Sequence, residues 1–231
     1  MFKQIKNATR PYRRAFERII KGKTSLVELG YCRSLQFSQF GEDIIIRNFF
    51  NGVDDGFFVD VGAFHPYRIS NTYLLYKMGW KGINIEPNPQ NFSLFEKYRK
   101  RDINLNLAVS GTTRVVDFIC NGEFSGIDDE QYFLKDTLSE ADRISVKSRP
   151  LSDIFDEYLP KNQTIDVMDV DCEGLDEEVL LSNNWEKYRP KMLLVEAHTD
   201  VENLDLLLVS LGYQIHTTLD ITRIYVQNNG G

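Results

Sequence analysis

Short apolar runs alternate with amphipathic stretches along most of this chain. Runs of strand length fall at about 57–61, 82–86, 103–109, 164–170, 192–197, 213–218 and 221–227. Helical spacing of apolar residues fits 71–78, 88–99, 151–158, 174–182 and 200–211. Residues 38–50 read as a further helix leading into the first strand. Ser38 is its candidate cap, although neither Gly41 nor Asp43 completes a capping box with it. Alternation of this kind predicts a mostly parallel sheet covered by helices on both faces. The last two strands are joined only by Leu219-Asp220, too short for a parallel crossover, so the final strand is expected to run antiparallel. Residues 111–150 break the rhythm. Val115–Cys120 and Ile144–Arg149 read as extra strands around an acidic stretch at Glu123–Asp129, an insertion expected over the active site.

The first 34 residues differ from the rest and are set apart as a basic amphipathic helix and linker ahead of a main domain at 35–231. Phe2, Ile5, Thr9, Tyr12, Phe16 and Ile19 recur at helical spacing among basic residues, and Gly22 is the expected stop. Such a helix suits contact with an anionic membrane surface, or packing on its own domain or on a second copy of the chain.

Composition narrows the class. Of 27 Lys and Arg and 34 Asp and Glu, eight and one lie within residues 1–23, which leaves 19 basic and 33 acidic residues for the rest of the chain. An acidic domain is a poor partner for nucleic acid, whose phosphates need a basic face. No apolar run approaches the length of a membrane span, and the N-terminus lacks the apolar core of a signal peptide. The expectation is a cytoplasmic protein, with peripheral contact at the inner face of a membrane open through the basic helix. Cys32, Cys120 and Cys172 are widely spaced, odd in number and form no C-x-x-C, so they read as incidental thiols.

In open α/β sheets, ligands bind beyond the carboxyl ends of the strands, so the strand tips carry the candidate chemistry. The first strand ends Asp60-Val61-Gly62-Ala63-Phe64-His65. With one glycine it is not the G-x-G-x-x-G that cradles a pyrophosphate. S-adenosylmethionine has no phosphate, and its cationic sulfonium and ammonium groups favour a carboxylate such as Asp60. The second strand ends at Glu86-Pro87, where a carboxylate suits the two hydroxyls of a ribose. Small residues at Leu107-Ala108-Val109 could flank an adenine ring. The fourth strand ends Asp169-Val170-Asp171-Cys172-Glu173-Gly174 and the fifth Glu196-Ala197-His198. Crowded carboxylates repel one another unless a cation is near. Asp171, Glu173 and His198 could therefore hold Mg²⁺ or Mn²⁺, or His198 could act as a general base. His65 and His216 read as structural. Tyr73 and Lys77 match the Y-x-x-x-K of short-chain dehydrogenases at the wrong place in the chain.

In order along the chain stand Ser38-Gln39-Phe40-Gly41-Glu42-Asp43, Phe58-Val59-Asp60-Val61-Gly62-Ala63, Asn71-Thr72, Gly79-Trp80-Lys81-Gly82-Ile83, and Glu86-Pro87-Asn88-Pro89. Leu107-Ala108-Val109-Ser110, Asp171-Cys172-Glu173-Gly174 and Val195-Glu196-Ala197-His198 follow. Over about residues 35–200 this set resembles the FkbM family of S-adenosylmethionine-dependent methyltransferases. The resemblance implies a Rossmann-like class I methyltransferase fold, with a seven-stranded, mostly parallel sheet and an antiparallel last strand. It implies an O-methyltransferase acting on sugar hydroxyls of nucleotide-sugars, glycans or polysaccharide precursors. Asp60, Gly62, Ala63, Glu86, Pro87 and Ala108 would hold the cofactor, with Gln39, Glu42 and Asn71 near its methionine end. His198, Glu173 and Asp171 would form the reaction centre. Asp169 departs from the family, which commonly has a lysine or a small residue there. The competing readings are a nicotinamide-linked sugar oxidoreductase or epimerase, disfavoured by the missing glycine cradle, and a non-enzymatic cofactor-binding adaptor.

Overall fold

A computed structural model describes residues 36–128, 142–197 and 201–228. The basic N-terminal helix, part of the acidic stretch and His198 lie outside the described residues. The described elements are α1 (Glu42–Phe49), β1 (Phe57–Val61), α2 (Tyr73–Met78), β2 (Lys81–Ile85), α3 (Pro89–Tyr98), β3 (Ile103–Leu105), β4 (Ala108–Val109) and β5 (Arg114–Cys120). A short 3₁₀ turn (Gly122–Phe124), β6 (Gly126–Ile127), β7 (Asp142–Arg149), α4 (Leu151–Tyr158), β8 (Val167–Val170) and α5 (Asp176–Leu181) follow. The chain continues with β9 (Met192–Glu196), α6 (Val201–Ser210), β10 (Tyr213–Leu219) and β11 (Thr222–Gln227).

Seven strands form the main sheet in the order β10-β11-β9-β8-β1-β2-β3. β9, β8, β1, β2 and β3 pair in parallel, whereas β11 runs antiparallel to both β9 and β10. This is the class I methyltransferase arrangement of the Rossmann-like fold, with the antiparallel last strand inserted before its predecessor. The switch in strand order falls between β1 and β8, which opens a crevice at their carboxyl ends.

Strand parity divides the core. Phe57, Val59 and Val61 of β1 join Ile83, Met168 and Leu193 on the face covered by α4, α5 and α6. Phe58 joins Val167, Leu194 and Trp80 on the face covered by α1 and α2. Full burial of each such side chain stabilises the fold by about 1.5–3 kcal/mol. The helices present matching stripes, with Leu151, Ile154 and Phe155 buried in α4 and Leu204 and Leu208 in α6. On the second face, the pleat sets one polar row across four strands. Asn104, Asn84, Asp60 and Asp169 are register neighbours from β3 to β8.

Two expectations need correction. The run 103–109 is two strands. Asn106 leaves the ladder to donate its side-chain amide to the carbonyls of Glu86 and Pro87, 2.9 Å each, and Ala108–Val109 then joins a second sheet. The run 164–170 begins its ladder only at Val167, because the Asp166 carboxylate caps the edge by accepting the Phe57 amide at 2.8 Å and the Lys191 ammonium at 2.6 Å. The interruption after residue 110 is a built unit, a four-stranded sheet in the order β4-β7-β5-β6. Val116, Phe118, Ile127 and Val146, with Ala108 of β4, pack it on Leu175 of the main body. The cap of α1 is Gly41, without a side-chain bond, and Ser38 braces the turn before it. Its Oγ accepts the Gly41 amide at 3.1 Å and donates to Asp43 Oδ1 at 2.7 Å, while Asp43 Oδ2 accepts the Phe37 amide at 2.7 Å. Among the described residues, no helix is long and apolar enough to cross a membrane.

Candidate active site

Two joined cavities occupy the crevice. The first, with about 570 Å³ of open space, is a largely apolar slot with Glu86 at its rim and Glu123, Asp171 and Glu173 where it meets the second. Val61, Ile85, Leu107, Ala108 and Val109 floor it, Phe118 and Ile127 of the second sheet wall it, and Glu86 and Asn91 supply polar groups. Burial pushes the Glu86 carboxyl up to about 8, although its Oε1 accepts the Asn88 amide at 2.7 Å.

The second cavity, with about 970 Å³, is acidic. Glu42, Asp60, Glu123, Asp169, Asp171, Glu173 and Glu196 line it, and its described lining has no Lys, Arg or His. Gly62, Phe64, Glu123, Asp171 and Glu173 line both cavities and form the seam between them.

Each carboxylate has its own means of support. Burial pushes Asp60 up, opposed by the Thr72 hydroxyl, which donates to Asp60 Oδ2 at 2.5 Å, and by the Arg99 guanidinium. Burial and then the charge of Asp60 push Asp169 well above the carboxylate range, although Asn71 Nδ2 donates to it at 2.8 Å. Burial and a hydrogen bond to Glu196 push Asp171 up. The Asp171 Oδ1 atom is buried and has no hydrogen-bond partner among the described residues. The turn that carries Glu173 is shaped by Asp176, whose carboxylate accepts the amides of Cys172 at 2.9 Å and Gly174 at 3.2 Å. Glu173 and Gly174 adopt left-handed conformations, φ 53° and 101°, and Glu173 is buried. A non-glycine residue in that conformation is held there by its surroundings.

Gly62 is the tightest point. Its φ is +78°, and a Cβ there would lie 1.8 Å from the carbonyl oxygen of Asp171. The tips of β1 and β8 therefore touch through backbone alone, which leaves the space above them open. Gly62→Ala is expected to destabilise the unliganded fold by about 1–3 kcal/mol, seen as a lower thermal midpoint, with a matching loss of cofactor affinity. Wild-type values for both would show that the overlap is relieved without disturbing the crevice.

The sequence-predicted residues sort cleanly. Gln39, Glu42, Asp60, Ala63, Asn71, Asp169 and Glu196 meet at the acidic cavity, and Pro87, Glu86 and Ala108 at the apolar one. Asn71 reaches the cavity wall while tied to Asp169. His65 is turned away from both linings. Its Nδ1 accepts the amides of Tyr67 at 3.3 Å and Arg68 at 3.2 Å, and its ring meets Tyr67 edge-on, so it shapes the loop. His216 packs beside Phe49. Among the described residues, no group of three or more His, Cys, Asp or Glu is arranged to hold a metal ion. The Mg²⁺ or Mn²⁺ expectation depends on His198, outside that range. Sequence reasoning gave no role to Phe64, Thr72, Arg99, Glu123 or Asp176. Asp176 had a signal, since an acid two residues after Gly174 can close a turn by accepting its amides.

The model of the methyltransferase FkbM domain matches residues 60–215. The chain belongs to the FkbM methyltransferase family. As a member of that family it is an S-adenosylmethionine-dependent methyltransferase, and the crevice fits that cofactor. The apolar slot suits an adenine ring, the rim carboxylate a ribose, and the acidic cavity a cationic sulfonium and ammonium. Among solved structures, the TrmK of M. capricolum in complex with the cofactor product S-adenosyl-homocysteine superposes with a TM-score of 0.44 at 13% identity, over 84% of this chain and 70% of that chain. No curated protein matches this FkbM chain in sequence.

Proposed function

We propose that this methyltransferase transfers its methyl group to the oxygen of a sugar hydroxyl. The observation that carries the reading is the seam, where an apolar, nucleoside-sized slot opens into an acidic chamber past Asp171 and Glu173. When bound, S-adenosylmethionine supplies an electrophilic methyl group on a sulfonium. The protein's part is to bind, to orient and to take a proton. Phe118, Ile127, Ala108 and Pro87 enclose the adenine, and Glu86 accepts the ribose hydroxyls. Asp60 faces the cationic end, with Gln39, Glu42 and Asn71 around the methionine moiety. An alcohol is a poor nucleophile until its proton is shared with a base. Glu173, at the seam and held by a strained turn, takes that proton. Asp171, with Glu196 beside it, orients the hydroxyl. His198 follows β9 and is a second candidate base. The hydroxyl acceptor, rather than an amine, rests on the family resemblance.

Calorimetric titration and product analysis test this reading. S-adenosylhomocysteine is expected to bind and NAD is not. Labelled methyl is expected on oxygen when sugars, nucleotide-sugars and amines are offered together. Methyl found only on nitrogen or carbon would remove the O-methyl assignment. NAD binding without S-adenosylhomocysteine binding would reverse the cofactor assignment for this crevice.

A further inference from the structure

Arg99 has no assigned role and follows α3 in a basic run, Arg99-Lys100-Arg101, that reads in sequence as a solvated surface. In the fold it is fully buried. Its guanidinium lies 4.8 Å from the centre of the Tyr76 ring and 5.1 Å from that of Phe58. Its hydrogen bonds run to four acceptors. Nε donates to Asp102 Oδ2 at 2.8 Å and Nη1 to the Pro66 carbonyl at 3.0 Å. Nη2 donates to Thr72 Oγ1 at 3.0 Å and to Asn84 Oδ1 at 3.3 Å. One side chain thus ties together the loop after β1, the start of α2, β2 and the turn before β3.

The direction of these bonds carries the inference. A guanidinium only donates, so Thr72 Oγ1 must accept from Arg99. A hydroxyl has one proton and two lone pairs; Arg99 takes a lone pair, and an ionised Asp60, which can only accept, takes the proton at Oδ2, 2.5 Å away. We propose that Arg99 and Thr72 form a positioning relay that fixes the rotamer of Asp60 and holds it as an acceptor, so that its second oxygen faces the cationic end of the cofactor. The proposal rests on the reading of Asp60 given above. The geometry explains why a fully buried cation sits one residue beyond the acidic crevice without lining it. Direct contact would place positive charge against a cationic ligand, whereas one hydroxyl between them passes on the orientation and keeps the charge back. A lysine could not replace Arg99, because three tetrahedral donors cannot meet four acceptors spread around a planar fork.

Calorimetric titration of S-adenosylmethionine into the full chain between about pH 5.5 and pH 8.5 tests the relay across the range where neighbouring carboxyls titrate. The charged groups that face Asp60 are Arg99 and Asp102 beside α3, Asp169 on β8, Glu42 on α1 and Glu86 at the tip of β2, with Asp171, Glu173 and Glu196 in the same cavity. Thr72→Val removes the hydroxyl at nearly constant volume. It is expected to weaken binding about tenfold or more, with the loss deepest at the acid end, because Asp60 then keeps its proton to higher pH. Thr72→Ser retains the hydroxyl and is expected to keep the wild-type pH profile. Asp60→Asn is expected to weaken binding throughout and to flatten the acid limb. Equal losses in the Val and Ser variants would assign the effect to the methyl group and overturn the relay. So would a wild-type profile in Thr72→Val beside a weakened Asp60→Asn, and that outcome would leave the Asp60 reading standing. Undiminished affinity in Asp60→Asn would overturn that reading itself.

Discussion

Asp171→Asn and Glu173→Gln are each expected to cut turnover by roughly 10²–10⁴-fold while changing S-adenosylhomocysteine affinity less than tenfold, the range spanned by loss of a positioned acid or base. Both side chains line the seam where the two cavities meet, which in the proposed reading places them beside the reacting atoms. Their environments differ, and the two variants should differ with them. Asp171 is pushed up by burial and then by its hydrogen bond to Glu196, so asparagine there leaves the Glu196 carboxyl nearby. Glu173 is held out by a left-handed backbone beside Gly174, with Asp176 fixing the turn. Glutamine there preserves the shape and removes only the proton acceptor. The rate profile against pH separates the roles. Loss of the acid limb in Glu173→Gln, with the limb kept at reduced height in Asp171→Asn, assigns the base to Glu173. Turnover within fivefold of wild type in both variants would move the reaction centre away from the seam. Binding and rate must be measured separately, because a loss of kcat/KM alone does not tell a displaced cofactor from a missing base.

The fold could be read from the chain because its signals are local and mutually consistent. β1 has buried residues at every position, as a central parallel strand must, and a two-residue link, Asp220-Ile221 in the fold against the expected Leu219-Asp220, forced the last strand to reverse. The strand tips were legible for the same reason, since topology alone places Asp60, Glu86 and Asp171 at one end of the sheet. What escaped were consequences of register and of partners distant in sequence. Nothing near Asn106 announces that its side chain will bond Glu86 and Pro87 and cut a strand in two. Arg99 lies among exposed neighbours, and only its distance to Thr72 and Asn84, fixed by the docking of α2 on β1 and β2, shows that it is buried. The walls contributed by Phe118 and Ile127 depended on how the interrupting sheet folds back over Ala108, which no periodicity encodes.

Cofactor affinity should depend on Glu86 in both size and pH. Glu86→Ala is expected to weaken S-adenosylhomocysteine binding by about 10²-fold, since hydrogen bonds to an ionised acceptor are worth about 1.5–3 kcal/mol each. Burial raises the unliganded carboxyl to about 8 from an ordinary 4.5, so at neutral pH the empty site holds mostly protonated Glu86. A ribose diol donates two protons and prefers the ionised form, so binding lowers the folded value and releases a proton. Affinity should therefore rise with pH by up to tenfold per unit below about 8 and level off above it. Calorimetry in buffers of different ionisation enthalpy should count that proton directly. The stability of the empty protein carries the opposite sign. A carboxyl raised in the folded state favours folding fully below the unfolded value, and that contribution is lost as pH climbs from about 4.5 through about 8. Added cofactor should flatten that slope, since the bound site gains what the empty site loses. Asp176, raised by burial to about 7, titrates in the same window, so Glu86→Gln is the control and only the difference between it and wild type belongs to Glu86. If Glu86→Gln binds with the wild-type pH slope, the rim carboxylate does not carry the ribose, and Asn91 is the remaining polar group at that edge of the slot.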